Sequence, residues 1–235
     1  MTLAPLLLLL AFAADVPSTA PAARPAVRIV LAGDSTMTET AGWGPGLAVL
    51  LADDVELINL SRGGRSSRTF YDEGSWKKCL DARPDYVLIQ FGHNDEPGTD
   101  RSTEREKEFP QNMRRFVAEA RAAGIRPILV TPLVRRQFGD DGRIHSSLAR
   151  HAEIVRQIAR EERVPVVELH DRSRRVCEAL GKDACIALLS TEKSNGGYDG
   201  THLTPPGARL MGAIVADELR TAVPELAGRI RAVAK

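Results

Sequence analysis

The chain is short of several things that mark large classes of protein. It lacks an excess of charge of either sign: 32 Lys and Arg stand against 31 Asp and Glu, a formal net charge of +1. That balance leaves no electrostatic footprint for a nucleic acid or for an anionic membrane surface. Aromatic residues are only 5% of the total, so no long platform for stacking sugar rings stands out. Short metal-ligand pairs are missing too, with no Asp-x-His and no His-x-x-x-His anywhere. Cysteines number three, Cys79, Cys177 and Cys185. In an oxidising compartment Cys177 and Cys185 could close a short-loop disulfide and leave Cys79 free; three buried thiols is the other reading. With 43% hydrophobic and 27% charged residues over 235 positions, a single domain can build its core without metals or disulfides.

Also lacking is an apolar run of about 20 residues, the length needed to cross a bilayer as a helix. The longest apolar stretch, Leu3 to Ala14, is shorter and ends in Ala11-Phe12-Ala13, a small-x-small pattern. It reads as a secretory signal peptide over residues 1–13, although no Lys or Arg precedes the apolar run. A retained anchor is the alternative. Residues 14–26 are rich in Pro and Ala and read as a flexible lead-in. Residues 27–235 then form one domain, with no internal repeat and no second boundary. The mature protein is expected to be secreted or periplasmic, with no stable membrane insertion after cleavage.

What is present is an alternation of strand-like and helix-like segments. Val27–Ala32 is an apolar run broken only by Arg28, of the kind that forms a strand covered on both faces, and Val55–Leu60, Tyr86–Phe91, Ile128–Thr131 and Val164–Leu169 read as further strands. Between them, apolar residues recur at helical spacing. Phe109, Met113, Phe116, Val117 and Ala120 make one face ahead of Gly124, and Leu148, Ala152, Val155 and Ala159 make another. A last helix follows Thr204, with Pro205 and Pro206 in its first turn, where a missing N–H costs nothing. The pattern predicts an α/β fold with a five-stranded parallel sheet between helices. In such sheets the ligand crevice lies beyond the carboxyl ends of the strands.

Four polar clusters fall at those ends. Gly33-Asp34-Ser35-Thr36 follows the first strand and can present a serine to the crevice. Asn59 to Ser67 follows the second and contains Gly63-Gly64, where a backbone N–H can approach a ligand closely. Gly92-His93-Asn94-Asp95 follows the third, and an Asn there can donate to a developing oxyanion. Asp199-Gly200-Thr201-His202 precedes the final helix; read as a loop, it lets the carboxylate orient the imidazole while the second ring nitrogen takes a serine proton. Each cluster alone is an ordinary turn sequence. Together they supply nucleophile, oxyanion donors, acid and base.

This set resembles the SGNH hydrolase superfamily, whose four blocks carry Ser, Gly, Asn and a closing Asp-x-x-His. The wording of the blocks, GDSTM, SRGGRSS, FGHND and DGTHLTPPGA, is more similar to the rhamnogalacturonan acetylesterase branch than to the lipase-like GDSL branch. Thr36 stands where Leu is usual in the wider family. The resemblance implies a three-layered α/β/α, flavodoxin-like fold that works without metal or other cofactor. It implies Ser35, Asp199 and His202 as catalytic residues, and an oxyanion hole made by the Ser35 and Gly64 N–H groups and the Asn94 side chain. Gly63 competes with Gly64 for its role. The implied partner is an acetylated polysaccharide or oligosaccharide, with no nucleic acid; oligomeric state is left open.

Arg62, Arg65 and Arg68, with Arg135 and Arg136 after the fourth strand, could fork onto galacturonate carboxylates. Trp43, Tyr71, Trp76 and Tyr198 could stack on a sugar ring. Of these, Arg62, Arg65 and Tyr198 are the named substrate contacts. The alternatives within this chemistry are esterases of acetylxylan, peptidoglycan or sialic acid, or of short-chain esters in general. Outside it, Asp34, His93, Asn94, Asp95, Asp199 and His202 could serve a metal-dependent phosphoesterase.

Overall fold

A computed structural model describes residues 27–232. The signal peptide and lead-in expected over residues 1–26 lie outside the described residues. Five parallel strands form the central sheet: β1 (Val27–Gly33), β2 (Val55–Asn59), β3 (Tyr86–Gln90), β4 (Arg126–Val130) and β5 (Val166–Val167). Their order is β2-β1-β3-β4-β5, the flavodoxin-like arrangement, with the chain reversing direction across the sheet between β1 and β3.

Side chains alternate across each strand, so the central strands feed two cores. Ile29 and Leu31 of β1, Tyr86 and Leu88 of β3, and Ile128 and Val130 of β4 pack into one layer. Val30, Ala32, Val87, Ile89 and Leu129 pack into the other. This two-sided burial is why the strands read as unbroken apolar runs. The first layer is covered by α1 (Gly44–Ala48), α6 (Leu169–Leu180), α7 (Lys182–Leu189) and α8 (Pro205–Ala222). The second is covered by α2 (Ser67–Asp72), α3 (Ser75–Asp81), α4 (Glu108–Ala122) and α5 (Ala149–Glu162). Helix α8 starts where expected. The Thr204 hydroxyl accepts the Gly207 N–H at 3.1 Å, and both prolines sit in the first turn. It crosses α1 at glycines on both helices: a Cβ on Gly212 would stand 2.2 Å from the Gly46 carbonyl carbon.

Three features differ from the sequence reading. Strand β5 is only two residues long, because Glu168 already caps α6 by accepting the Asp171 N–H at 3.1 Å. The segment read as a loop around Asp199 is a strand, β7 (Tyr198–Leu203), paired antiparallel with β6 (Ser190–Glu192). Trp43 and Trp76 are fully packed in the core, so neither can stack on a sugar. Cys79, Cys177 and Cys185 are all buried and free.

Candidate active site

Strand β1 ends at Gly33 and the next residues turn sharply. Asp34 is buried, and its Oδ1 accepts both the backbone N–H (2.9 Å) and the hydroxyl (2.7 Å) of Thr36, closing a single 3-10 turn over Ser35–Met37. Ser35 is thereby lifted, half-buried, at the carboxyl edge of the sheet. Beneath it lies a buried polar floor. Gln90 at the end of β3 donates to the Thr36 hydroxyl at 2.5 Å and accepts the Trp43 indole N–H at 3.0 Å. A leucine at position 36 could make neither of the two bonds that use the Thr36 hydroxyl.

Strand β7 brings the remaining pair. His202 Nε2 lies 2.9 Å from Ser35 Oγ, and its Nδ1 lies 2.6 Å from Asp199 Oδ2. Asp199 Oδ1 accepts the N–H groups of Thr201 (2.8 Å) and His202 (3.1 Å). Burial pushes the Asp199 carboxyl up, but the His202 ring and these two N–H groups outweigh it and hold it below the usual carboxylate range. A carboxylate that stays ionised fixes the tautomer: Nδ1 carries the proton, and Nε2 is free to accept one from Ser35.

The second and third clusters close on the same spot. A Cβ on Gly63 would sit 3.7 Å from the Ser35 Cβ, so this turn lies against the serine, and Gly64 has φ +74°, a conformation that favours glycine. Asn94 Nδ2 donates to the Arg65 carbonyl at 3.1 Å, which orients the amide and leaves its second hydrogen unused. Asp95 ties the two loops together: it accepts from the Ser67 N–H and hydroxyl (3.0 and 2.6 Å), the Thr103 hydroxyl (3.0 Å) and the Gly92 N–H (3.1 Å). Burial pushes this carboxyl up to about 6 despite those donors. Behind it, His93 Nδ1 faces Asp34 Oδ2 at 3.4 Å, both almost fully enclosed. The acids and histidines considered for a metal are thus engaged with serine, backbone or one another. Among the described residues no cluster of three or more His, Cys, Asp or Glu could hold a metal ion.

Residues 31–210 match the GDSL-like lipase/acylhydrolase family. A rhamnogalacturonan acetylesterase of Bacillus subtilis (strain 168) is 32% identical over 207 residues, covering 81% of this chain and 88% of its own. The chain belongs to the GDSL-like lipase/acylhydrolase family. It is an ester hydrolase of the SGNH type. Two solved structures share the fold. The crystal structure of a Bacillus subtilis protein superposes with TM-score 0.72 at 24% identity, over 83% of this chain and 56% of that one. An acetylxylan esterase from Geobacillus stearothermophilus gives TM-score 0.66 at 18% identity, over 83% and 94%.

Within this GDSL-type hydrolase the arginines divide by partner. Arg62 and Arg65 both pair with Glu73, at 3.0 and 2.9 Å, and Arg68 pairs with Glu108 at 3.3 Å. Tyr198 opens β7 and lines a surface hollow with Ile186, Ser190 and Gly197. Arg135 links two site loops, donating to Glu96 (2.6 Å), the His93 carbonyl (3.0 Å) and the Thr201 hydroxyl (2.7 Å). Arg136 is wholly buried and forms no ion pair with a carboxylate of the described residues. Its guanidinium donates to the carbonyls of His202 (2.5 Å) and Asp199 (3.2 Å) and to the Ser190 hydroxyl (2.9 Å), while its own N–H donates to the Gly200 carbonyl at 2.7 Å. It grips the backbone of β7 around both Asp199 and His202. Sequence reading considered it only as a surface fork for substrate. No local signal separated Arg136 from Arg135, since both lie in the irregular stretch between β4 and α5.

Proposed function

We propose that this chain is a secreted carbohydrate acetylesterase acting on an acetylated pectic glycan, rhamnogalacturonan. The observation that carries the reading is the continuous hydrogen-bonded line from Ser35 through His202 to Asp199 at the reversal point of the sheet. The substrate class is supported by the 32% identical rhamnogalacturonan acetylesterase, which aligns along most of both chains. Export is supported by the short apolar run Leu3 to Ala14 and its small-x-small end.

In this mechanism Ser35 Oγ attacks the acetyl carbonyl as His202 Nε2 takes its proton, and Asp199 stabilises the resulting imidazolium. The tetrahedral oxyanion is held by the Ser35 N–H, the Gly64 N–H and the spare Asn94 amide hydrogen. His202 returns the proton to the sugar oxygen, which leaves as the alcohol. Water, deprotonated by His202, then attacks the acetyl-enzyme, and acetate departs with Ser35 restored.

The test is acetate release by wild-type and Ser35→Ala protein from acetylated rhamnogalacturonan, acetylxylan and an aryl acetate. Release by wild type alone, greatest from the pectic polymer, is the expected result. Activity on xylan or the aryl ester without the pectic polymer would overturn the substrate, and equal activity in Ser35→Ala would overturn the serine mechanism.

A further inference from the structure

Beside the Asn94 and Gly64 positions lies a cavity of about 270 Å³, lined by His93, Asn94, Glu96, Thr99, Arg101 and Arg135. Two of its walls are guanidinium groups and one is a carboxylate. The carboxylate of Glu96 is closed off by Arg135 at 2.6 Å. Arg101 is different. Its Nη1 donates to the Gly64 carbonyl at 3.1 Å, its Nε is buried without any partner, and no carboxylate of the described residues pairs with it. Every other arginine around the site is neutralised or, in the case of Arg136, turned into β7. The cavity therefore presents one uncompensated positive charge, fixed next to the peptide of Gly64.

We infer that Arg101 forms the carboxylate-binding subsite that reads a uronate residue of the proposed glycan. This inference rests on the acetylesterase reading and assigns its acidic-sugar recognition to one residue. A guanidinium anchored through Nη1 and enclosed at Nε keeps its Nη2 hydrogens for a charge-assisted bond to a carboxylate. The anchor also sets the distance, because the group held by Gly64 on one side and the carboxylate on the other belong to one ligand. Arg62 and Arg65 cannot serve in this way without first releasing Glu73.

The subsite is tested without relying on the polysaccharide. Hydrolysis of an aryl acetate is inhibited with digalacturonate and, separately, with its dimethyl ester. Wild type is expected to bind the free acid about tenfold to a hundredfold more tightly than the ester, the range for a hydrogen bond to a charged group. In Arg101→Gln that ratio falls to near one, while Arg101→Lys keeps part of it. If a variant loses turnover because Gly64 shifts, calorimetric titration of the same two ligands reads the ratio directly. An unchanged ratio in Arg101→Gln, or no preference in wild type, overturns the subsite. Failure of the acetylesterase reading shows separately, as absence of acetate release from acetylated rhamnogalacturonan by wild type.

Discussion

Replacing Arg136 by Met removes the clamp on β7 while keeping most of the side chain's apolar volume. Two effects on stability oppose each other. The carbonyls of Asp199 and His202 and the Ser190 hydroxyl lose their donor, and each buried group left unpaired costs about 1–3 kcal/mol. Against this, a guanidinium with no carboxylate partner no longer has to be desolvated, which offsets several kcal/mol. Burial already holds the Arg136 pKa below the ordinary arginine value, against the pull of nearby groups. The net change in stability is therefore expected to be small, roughly 1–3 kcal/mol.

The change in turnover is not offset. The His202 carbonyl is fixed by Arg136 at 2.5 Å, and His202 Nε2 must sit within hydrogen-bond reach of Ser35. A displacement of about 1 Å at a reacting group costs on the order of 100-fold. Arg136→Met is expected to lower kcat on an aryl acetate about 100-fold with little change in KM, while the melting transition stays cooperative. Arg136→Lys is not expected to restore it, because one ammonium cannot span the Ser190, Asp199 and His202 acceptors as the fork does. A folded Arg136→Met enzyme with kcat within a few-fold of wild type would refute the clamp.

Three more outcomes can be checked with simple variants. Asn94→Ala removes the proposed side-chain oxyanion donor, and kcat should fall by about 10²–10³ in steady-state kinetics. Thr36→Val leaves the Gln90 amide and one Asp34 bond unpaired in a buried site; urea unfolding should show a loss of about 1–3 kcal/mol. His151 is buried with its ring edge-on to Phe109 and neither nitrogen bonded, and burial lowers its pKa from 6.5 to about 4. The unfolded chain then takes up a proton that the fold refuses, so this contribution is whole above pH 6.5 and is lost as pH falls to about 4. That shift corresponds to about 3 kcal/mol, so the stability gap between His151→Leu and wild type should move by this much in favour of the variant across the window.

How far the sequence revealed this depends on which distances matter. Strands buried on both faces leave continuous apolar runs, so β1, β3 and β4 were legible from local pattern alone. The edge strand β5 was overestimated because Val164 is packed like a strand residue although the chain pairs only at Val166 and Val167. The four polar blocks were legible for a related reason: in a parallel sheet everything that follows a strand arrives at the same edge. Ser35, Asn94 and the Gly63-Gly64 turn could be placed there before any coordinates.

What local pattern could not carry was partnership. Arg62, Arg65, Arg101 and Arg136 are chemically identical in the sequence and do three different things in the fold, because their partners lie 8 to 66 residues away. Glu73 neutralises the first two, and its own carboxyl is held below the usual range by Arg65 and Arg62. Arg136 spends its charge on backbone carbonyls. The same logic explains the misread loop: residues 198–203 carry Gly and polar side chains, so nothing in their own pattern predicts a strand. They are extended because β6 pairs with them and Arg136 holds their carbonyls from the other side. The placement of Asp199 and His202 is thus set by a cation that bonds to neither side chain, and the two owe their registry to it as much as to each other.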